Sequence, residues 1–257
     1  HATRIAGHYR IRGLVDAINT ACSSSANAIM HGARLIKTGR AKRAIVGGVD
    51  ALSKYTVNGF NSLQILSQGY CKPFDADRDG LNLGEGACYL VLESRESLGD
   101  RKPLAVVAGY GNANDAYHTS SLSDNAIGIL RAMQNAVLSA GIDPEQIAYV
   151  NAHGTGTDNN DKVESEGFRR FFKRIPPFSS TKSYTGHTLG AAGAIEAVYS
   201  VFALMYGELY PNLNFGKPEG PNGLVPVLKT TKADLCYVMS NSYGFSGNCT
   251  SLIFKRL

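Results

Sequence analysis

Hydrophobic and polar residues alternate along the chain in two kinds of segment. Short apolar runs bounded by glycine or polar residues are typical of buried strands, and they predict strands at 44–50, 87–94, 104–111 and 251–257 and at the starts of 147–157 and 236–247. Longer stretches carry apolar residues at helical spacing and end at glycine, and they predict helices within 24–39, 125–141 and 193–207. Strands that alternate with helices predict an α/β fold.

Composition narrows this to a globular protein of one or two domains. The chain has 257 residues, of which 44% are hydrophobic and 18% charged, enough for a large core. A turn-rich, charged stretch at 97–103 is a plausible boundary between two halves. No apolar run looks long enough to span a bilayer, and a net charge of +5 is too small and too scattered to indicate nucleic acid binding. The same charge would suit an acidic protein partner or an ordinary solvated surface.

Five cysteines are present, and their spacing fits neither a zinc site nor a disulfide framework. Free thiols indicate a reducing compartment, so we expect the protein in the cytoplasm. No signal peptide is visible. The chain begins at His1 rather than at methionine, which leaves open that it is a piece of a longer protein.

Cys22 stands between the apolar run 14–18 and the predicted helix. This order predicts a thiol at a strand-to-helix junction. Unpaired backbone N–H groups and the helix dipole at that point favour a thiolate, so Cys22 is a candidate nucleophile. The alternative is an inert packing thiol, because cysteine is among the most buried residue types.

A nucleophile needs a group that handles protons, and two histidines have suitable surroundings. His153 follows a predicted strand, and His187 lies in a glycine-rich loop that enters a helix. Glycines and small hydroxyl residues flank both, which allows a ligand to approach the backbone closely. A structural histidine remains the alternative for each. His118 has an intermediate setting, while His1, His8 and His31 have none.

Two loops resemble ligand-binding motifs without matching them. Residues 186–193 lack the lysine and hydroxyl residue of a phosphate loop. Residues 75–86 begin like a calcium loop, but the twelfth position is Gly86 where glutamate is needed. A turn whose acids bind backbone N–H groups or pair with Arg78 explains the second loop better. We therefore predict no metal site.

Four motifs in one order resemble the β-ketoacyl-acyl-carrier-protein synthases of the elongating, type II kind, which belong to the thiolase superfamily. The motifs are TACSSS (20–25), NAHGTGT (151–157), STKSYTGHTLGAAGAIE (180–196) and NSYGFSG (241–247). Residues 73–93 and 108–121 resemble the same family. The resemblance covers essentially the whole chain. Each motif alone is moderately specific, and all of them in register are highly specific.

The resemblance implies a thiolase-like fold, in which two pseudo-duplicate halves form five layers, αβαβα. Family members carry more chain before the nucleophile, so the sequence resembles a C-terminal piece. We expect the end of the N-terminal half at 1–98 and the whole C-terminal half at 103–257. Family members are usually homodimers joined through the strand before the nucleophile, here about 14–19. An incomplete first-half sheet would expose its edges, so we expect these 257 residues alone to be inactive.

The implied reaction is a decarboxylative Claisen condensation. An acyl group moves from acyl carrier protein to Cys22, malonyl-carrier protein loses CO2, and its carbanion attacks the acyl-enzyme. His153 and His187 match the residues that stabilise the enolate. The acyl and malonyl thioesters arrive on phosphopantetheine, and no other cofactor is implied.

Further matches are implied in the same way. The backbone N–H groups of Cys22 and Phe245 match an oxyanion hole, and Phe245 also matches the gate for the acyl chain. Lys182 matches the active-site lysine, with Glu196 as its acidic partner, because a buried lysine needs one. Thr155 and Thr157 match positions that hydrogen-bond the phosphopantetheine arm in the family. The segment that includes His118 matches a mobile loop of the family that faces the gate.

The chain departs from the family pattern at the gate, where GFGGTN is usual. The changed positions are Ser246, Asn248 and Cys249, with Tyr243 before the gate and Asn82 elsewhere. These changes favour a specialised polyketide or polyene pathway as an alternative to fatty-acid elongation. A non-catalytic chain-length partner and a cysteine hydrolase are further alternatives. A weak candidate surface for the carrier protein comprises Lys37, Arg40, Lys42 and Arg43.

Overall fold

The computed structural model describes residues 1–257. The helices are α1 (Ala2–His8), α2 (Ser24–Lys37), α3 (Lys54–Ser62), α4 (Arg95–Leu98), α5 (Ile127–Ala140), α6 (Asp158–Phe171), α7 (Lys182–Thr185) and α8 (Ala192–Tyr206). The strands are β1 (Arg43–Asp50), β2 (Gly86–Glu93), β3 (Val106–Asn114), β4 (Ile147–Asn151), β5 (Phe178–Ser179), β6 (Glu208–Leu209), β7 (Thr231–Lys232), β8 (Tyr237–Tyr243) and β9 (Asn248–Lys255). All six strands and all three helices predicted from the pattern are present.

The central sheet has five strands in the order β3-β9-β8-β4-β5. Strand β4 runs parallel to β5 and β8, whereas β9 is antiparallel to β3 and β8. The sheet is therefore mixed. Strands β8 and β9 are buried along almost their whole length, and most of their residues are apolar or small.

Helices cover both faces of this sheet. One hydrophobic cluster joins the sheet to α5 and α6 and includes Ile129, Phe168 and Ile253. The other joins it to α2 and α8 and includes Ile29 and Leu252. The two clusters make the central sheet the rigid frame from which the loops at its ends extend.

Glycine permits close packing at two of these contacts. A Cβ atom at Gly111 of β3 would lie 2.1 Å from the carbonyl oxygen of Ala132 in α5. A Cβ atom at Gly193 of α8 would lie 2.7 Å from the backbone nitrogen of Ala26 in α2. Both distances are below any real contact, so these helices approach their neighbours only because the side chains are absent.

A second, antiparallel sheet consists of β1 and β2. Alternate residues of β2, such as Leu90 and Leu92, pack against the α2–α8 layer. The intervening Tyr89 and Val91 are exposed, Val91 by 63%. The layers are thus the β1–β2 sheet, α2 with α8, the central sheet, and α5 with α6. This alternation of sheet and helix layers agrees with a thiolase-like fold, and the outer β1–β2 sheet has two strands.

The strand expected at about 14–19 does not form. These residues have no regular structure, and none of them pairs with a strand. Leu14 is 63% exposed. A strand needs a neighbour to take its N–H and C=O groups, and no strand lies beside this segment.

One helix has the length and composition of a membrane span, contrary to the sequence expectation. It comprises Leu189–Tyr206, and 56% of this window is buried inside the protein. Its neighbours are the two sheets and α2. This burial is typical of a core helix, which passes the same test of length and composition.

Candidate active site

The residues predicted to act together meet in one cavity of about 350 Å³ at the ends of β4 and β8. Cys22, His153, His187 and Phe245 all line it. The rest of the wall includes apolar Phe60, Leu63, Ile65, Leu81 and Leu122 and polar Thr155 and Thr157. The structure thus brings together residues that are up to 223 positions apart in the sequence.

Cys22 lies in a tight turn immediately before α2. Ala21 has a left-handed backbone conformation, with φ of 51°. The Ser23 hydroxyl donates to the carbonyl oxygen of Thr20 at 2.8 Å and to Oδ1 of Asn248 at 2.8 Å. The thiol therefore stands at a loop-to-helix junction, because the predicted strand before it is absent.

Burial dominates the acidity of the Cys22 thiol. The residue is only 6% exposed, and desolvation raises its pKa to about 11. The charge of Lys182 and the backbone N–H groups of Phe245 and Cys22 oppose this rise without cancelling it. These backbone N–H groups thus favour the thiolate in the direction predicted from the sequence, but burial outweighs them. The same two N–H groups nevertheless face the sulfur, as an oxyanion hole for an acyl-cysteine requires.

His153 is held by hydrogen bonds at its backbone N–H, at its carbonyl oxygen and at its ring. Its backbone N–H and that of Gly154 donate to the carboxylate of Glu164 in α6, at 2.9 and 2.8 Å. Lys182 Nζ donates to the His153 carbonyl oxygen at 2.6 Å and lies 3.1 Å from Nδ1 of the ring. Since Lys182 donates at Nδ1, the His153 proton resides on Nε2.

His187 has the same tautomer as His153, and a backbone N–H group fixes it. The N–H of Leu189 donates to Nδ1 of His187 at 3.3 Å, which again leaves the proton on Nε2. The two imidazole rings are perpendicular, with centroids 5.4 Å apart. The arrangement supplies two ring N–H donors beside one thiol.

Both histidines are neutral at neutral pH. Burial lowers the pKa of His153 well below its usual value, and the charges of Lys182 and His187 lower it further. Burial followed by the charge of Lys182 has the same effect on the pKa of His187. A neutral imidazole with a fixed Nε2–H is a hydrogen-bond donor that needs no counter-ion.

Lys182 is buried and uses all three of its donors. Two go to His153, and the third goes to Oε1 of Glu196. Burial raises the pKa of Glu196, while the charge and hydrogen bond of Lys182 lower it. The predicted Lys182–Glu196 pair is present, and it connects α7 and α8 directly to the backbone of His153.

Thr155 and Thr157 line the cavity side by side, with their hydroxyl oxygens 2.8 Å apart. Their position at the wall fits the predicted contact with an extended substrate arm. His118 does not reach the cavity. It is exposed, and its Nδ1 lies 3.2 Å from the N–H of Ser120 and 3.5 Å from the hydroxyl of the same residue.

Phe245, the residue predicted to act as the gate, makes an aromatic contact at the cavity wall. The Phe245 ring stacks on Phe60 of α3, with centroids 5.8 Å apart and planes at 22°. Ser246 adopts a left-handed conformation with φ of 65°. Its N–H donates to the carbonyl oxygen of Thr119 at 2.7 Å. The loop that contains His118 therefore faces the gate, although His118 itself does not.

Two carboxylates of the site escaped sequence reasoning. Glu164 holds His153, and Asp161 accepts from the N–H groups of Thr155 and Phe74 at 3.0 and 2.7 Å. Burial raises the pKa of Glu164 to about 7. Residues three apart share one face of a helix, so this spacing in a polar stretch was the available signal.

The departures from the family pattern have structural counterparts. Asn248 Oδ1 accepts from Asn27 and Asn112 as well as from Ser23, which ties β9 to α2 and β3. The backbone carbonyl oxygen of Asn82 accepts a hydrogen bond from the His187 N–H at 2.7 Å. The Tyr243 ring lies 5.4 Å from that of His153, and its hydroxyl has no partner.

The acidic turn behaves as the alternative to a calcium loop predicts. Asp75 accepts from the N–H groups of Asp77, Gly216 and Lys217. Arg78 pairs with Asp158 and Glu219 rather than with the acids of the turn. No group of three or more His, Cys, Asp or Glu side chains in residues 1–257 could hold a metal ion.

The fold and this site define a thiolase-like α/β protein whose cavity is lined by one cysteine and two histidines. A model of the beta-ketoacyl synthase N-terminal domain matches residues 1–97, and a model of the C-terminal domain matches 104–216. The chain belongs to the β-ketoacyl synthase family, and its relatives place it with the type II synthases.

Named relatives agree with this family. The chain is 41% identical over 262 residues to 3-oxoacyl-[acyl-carrier-protein] synthase 2 of Vibrio cholerae, covering 96% of this chain and 63% of the relative. It superposes on the ishigamide ketosynthase/chain length factor with a TM-score of 0.95 and 34% identity, covering all of this chain and 64% of that one. A type II polyketide ketosynthase in complex with its acyl-carrier protein gives 0.96 and 29%, covering all of this chain and 66% of that one. The chain thus spans just under two thirds of their length.

Proposed function

We propose that the protein is a β-ketoacyl-acyl-carrier-protein synthase that extends fatty-acid or related chains by two carbons. The proposal rests on one observation: Cys22 and the rings of His153 and His187, with their Nε2–H groups, line the same cavity. The cysteine supplies a nucleophile, and the neutral imidazoles supply donors for a developing negative charge.

The first half-reaction transfers an acyl group from the carrier's thioester to Cys22. Cys22 Sγ attacks the thioester carbonyl as its proton passes to solvent, and the carrier's thiolate leaves and takes up a proton from solvent, so that the transfer has no net change in protons. The backbone N–H groups of Cys22 and Phe245 stabilise the tetrahedral oxyanion. Because the pKa of Cys22 is about 11, proton loss accompanies attack rather than preceding it.

The second half-reaction uses the histidines. The malonyl thioester oxygen accepts from Nε2–H of His153 and of His187, the C–C bond to the carboxylate breaks, and CO2 leaves. The resulting enolate attacks the acyl-cysteine carbonyl, and the Cys22 thiolate departs and is reprotonated. Each donor contributes about 3 kcal/mol to such a step, by analogy with other oxyanion holes. Lys182 fixes His153 and acts as an electrostatic organiser.

Acyl carrier protein is the proposed partner, in the cytoplasm. The structural neighbour that holds its own carrier protein supports this partner. Thr155 and Thr157 would hydrogen-bond the phosphopantetheine arm, which carries the substrates and takes the place of any cofactor. We further propose a homodimer joined near residues 14–19, where exposed Leu14 and Val15 would become covered.

A specialised polyketide or polyene ketosynthase is the second candidate. Two observations support it: the ketosynthase/chain length factor neighbour and the changed gate at Ser246, Asn248 and Cys249. A non-catalytic chain-length partner is disfavoured because Cys22 and both histidines are in place. A cysteine hydrolase is disfavoured because Nδ1 of His153 faces Lys182 rather than a carboxylate or amide.

The test is to trap the acyl-enzyme. The protein, with any chain its gene encodes beyond these residues, is incubated with an acyl thioester of an acyl carrier protein and mapped by mass spectrometry. We expect one acyl group on Cys22 and none in a Cys22→Ser variant. Absence of the adduct, or equal labelling of Cys71 and Cys88, would contradict the proposal. The 257-residue chain alone is expected to remain unlabelled.

The histidine roles have a separate readout. With malonyl-carrier protein, Cys22→Ala should retain CO2 release and lose condensation, because decarboxylation needs only the two ring donors. His153→Ala and His187→Ala should each lose decarboxylation. Retention of CO2 release in both histidine variants would refute the roles assigned to them.

A further inference from the structure

The loop that faces the gate is fastened at its far end by one side chain, that of Asn159. This residue lies in the first turn of α6, at the cavity wall. Its Oδ1 accepts from the N–H of Leu122 at 2.8 Å, and its Nδ2 donates to the carbonyl oxygen of the same Leu122 at 3.0 Å. The amide thus satisfies both backbone groups of a single loop residue, as a neighbouring strand would.

Leu122 is a suitable point of attachment. Its side chain is buried and lines the cavity, so a shift of its backbone changes the cavity wall directly. The next residue, Ser123, donates from its N–H and its hydroxyl to Asp115, both at 2.7 Å. The loop from 115 to 123 is therefore closed on itself, and its only side-chain hydrogen bonds to α6 come from Asn159.

The middle of the same loop, and the residue just before the loop, are bonded to the gate. The Ser246 N–H donates to the Thr119 carbonyl oxygen at 2.7 Å, and Asn114 Nδ2 donates to the Ser246 carbonyl oxygen at 3.0 Å. Ser246 directly follows Phe245, whose ring stacks on Phe60. Asn159 is thus connected to the gate by its hydrogen bonds to Leu122, by the short run of chain from Leu122 back to Thr119, and by the bond from Ser246 to Thr119.

We propose that Asn159 is a positioning residue that latches the 115–123 loop to α6 and thereby controls how readily bulky thioesters reach Cys22. The proposal deepens the proposed function, since it concerns access to the same thiol. Asn159 touches no reacting atom and acts through Leu122, Thr119 and Ser246. Its loss changes the cost of opening the gate and leaves the chemistry at Cys22 unchanged.

The test uses the 257-residue chain and two thiol reagents, so that it does not depend on turnover. Cys22 is alkylated with iodoacetamide, and separately with a chloroacetyl pantetheine amide, and the rates are followed by mass spectrometry. In Asn159→Ala we expect the rate with the pantetheine reagent to rise about tenfold, because two hydrogen bonds no longer hold the loop. The rate with iodoacetamide should change by less than about twofold.

Three controls separate a latch from a general loosening. Asn135→Ala removes another amide bond to a backbone carbonyl, 3.3 Å to Asn112, and should leave both rates at the wild-type value. Asn159→Asp keeps the shape and the bond from the Leu122 N–H but loses the donor, so its rate should fall between wild type and Asn159→Ala. Buried Cys71 and Cys249 should stay unlabelled throughout.

Amide hydrogen exchange supplies the second readout. Peptides covering 115–123 should exchange faster in Asn159→Ala, while peptides from β8 and β9 keep the wild-type rate. Equal acceleration for the two reagents overturns the proposal, as does labelling of Cys71 or unchanged exchange in 115–123. Absence of an acyl adduct on Cys22 in the separate trapping experiment would refute the proposed function, and the alkylation rates measured here would not change with that result.

Discussion

Nζ of Lys182 lies 3.1 Å from Nδ1 of His153 and donates at 2.6 Å to the carbonyl oxygen of the same residue. One buried cation therefore fixes both the backbone and the tautomer of an imidazole that lines the cavity. Its charge also lowers the pKa of His153, of His187 and of Cys22. Lys182 thus keeps the histidines neutral while it favours the thiolate.

The first prediction follows from this shared charge. In Lys182→Met the pKa of Cys22 should rise above about 11, and the pKa of His153 should rise as well, because a nearby positive charge stabilises the deprotonated form of both groups. The thiol becomes less reactive and the imidazole is more easily protonated. Iodoacetamide rates against pH follow the thiol, and NMR titration of labelled histidine follows the ring. Lys162→Met, at an exposed position of α6, is the matched control.

The Lys182–Glu196 pair supplies a second prediction, on stability. Both side chains are buried, so removing one partner leaves the other without compensation. Lys182→Met and Glu196→Gln should each lower the free energy of unfolding by about 3–5 kcal/mol, and the double variant should lose less than the sum of the two. Urea unfolding of the four proteins measures this cycle. Additive losses would show that the pair is not coupled.

Prediction from sequence succeeded for side chains whose positions are determined by nearby features of the chain. Cys22 before a helix, and His153 after a strand, lie where the pattern puts them. Lys182 and Glu196 pair because a buried amine needs a counter-charge. Cys22 and His153 are placed by the ends of elements that the pattern predicts, whereas the Lys182–Glu196 pair is implied by the family resemblance and is explained by charge.

Prediction from sequence failed where the structure of a segment depends on which other segments pack against it. The segment 14–19 is apolar enough for a strand but has no partner to pair with. Helix α6 is polar along most of its length and escaped a search for apolar periodicity, although its Asp161 and Glu164 are buried against the 153–156 backbone. The Cys22 pKa follows burial, which no local pattern reports.

Acid sensitivity is the third prediction. The pKa of His187 in the folded protein is well below the usual value, so the unfolded chain takes up a proton first as the pH falls below about 6.5. The His187 contribution to stability is therefore complete above that pH and is lost below it. Between pH 7.5 and 5.5 this histidine should cost about 1.4 kcal/mol.

His187→Asn isolates this contribution, since Asn Oδ1 can still accept from the Leu189 N–H. Glu164 titrates in the opposite sense: its raised pKa of about 7 makes the fold more stable as the pH falls from 7 towards 4.5. The comparison must therefore be made between variant and wild type at each pH. If the two proteins lose the same free energy of unfolding between pH 7.5 and 5.5, His187 is not the group responsible.

The left-handed conformation of Ser246 gives the last prediction. A residue with a side chain pays about 1–2 kcal/mol to adopt φ near 65°, and glycine avoids this cost but loses about 0.5–1 kcal/mol through its flexibility when unfolded. Ser246→Gly should therefore leave stability unchanged or raise it by up to about 1.5 kcal/mol. Ser246→Val should cost about 1–2 kcal/mol more than Ser246→Ala, because β-branching crowds this conformation further. Urea unfolding ranks the three variants, and alkylation of Cys22 by a bulky reagent should be fastest in the glycine variant, whose gate is least constrained. Equal stability of the valine and alanine variants would mean that the gate does not hold this conformation in solution.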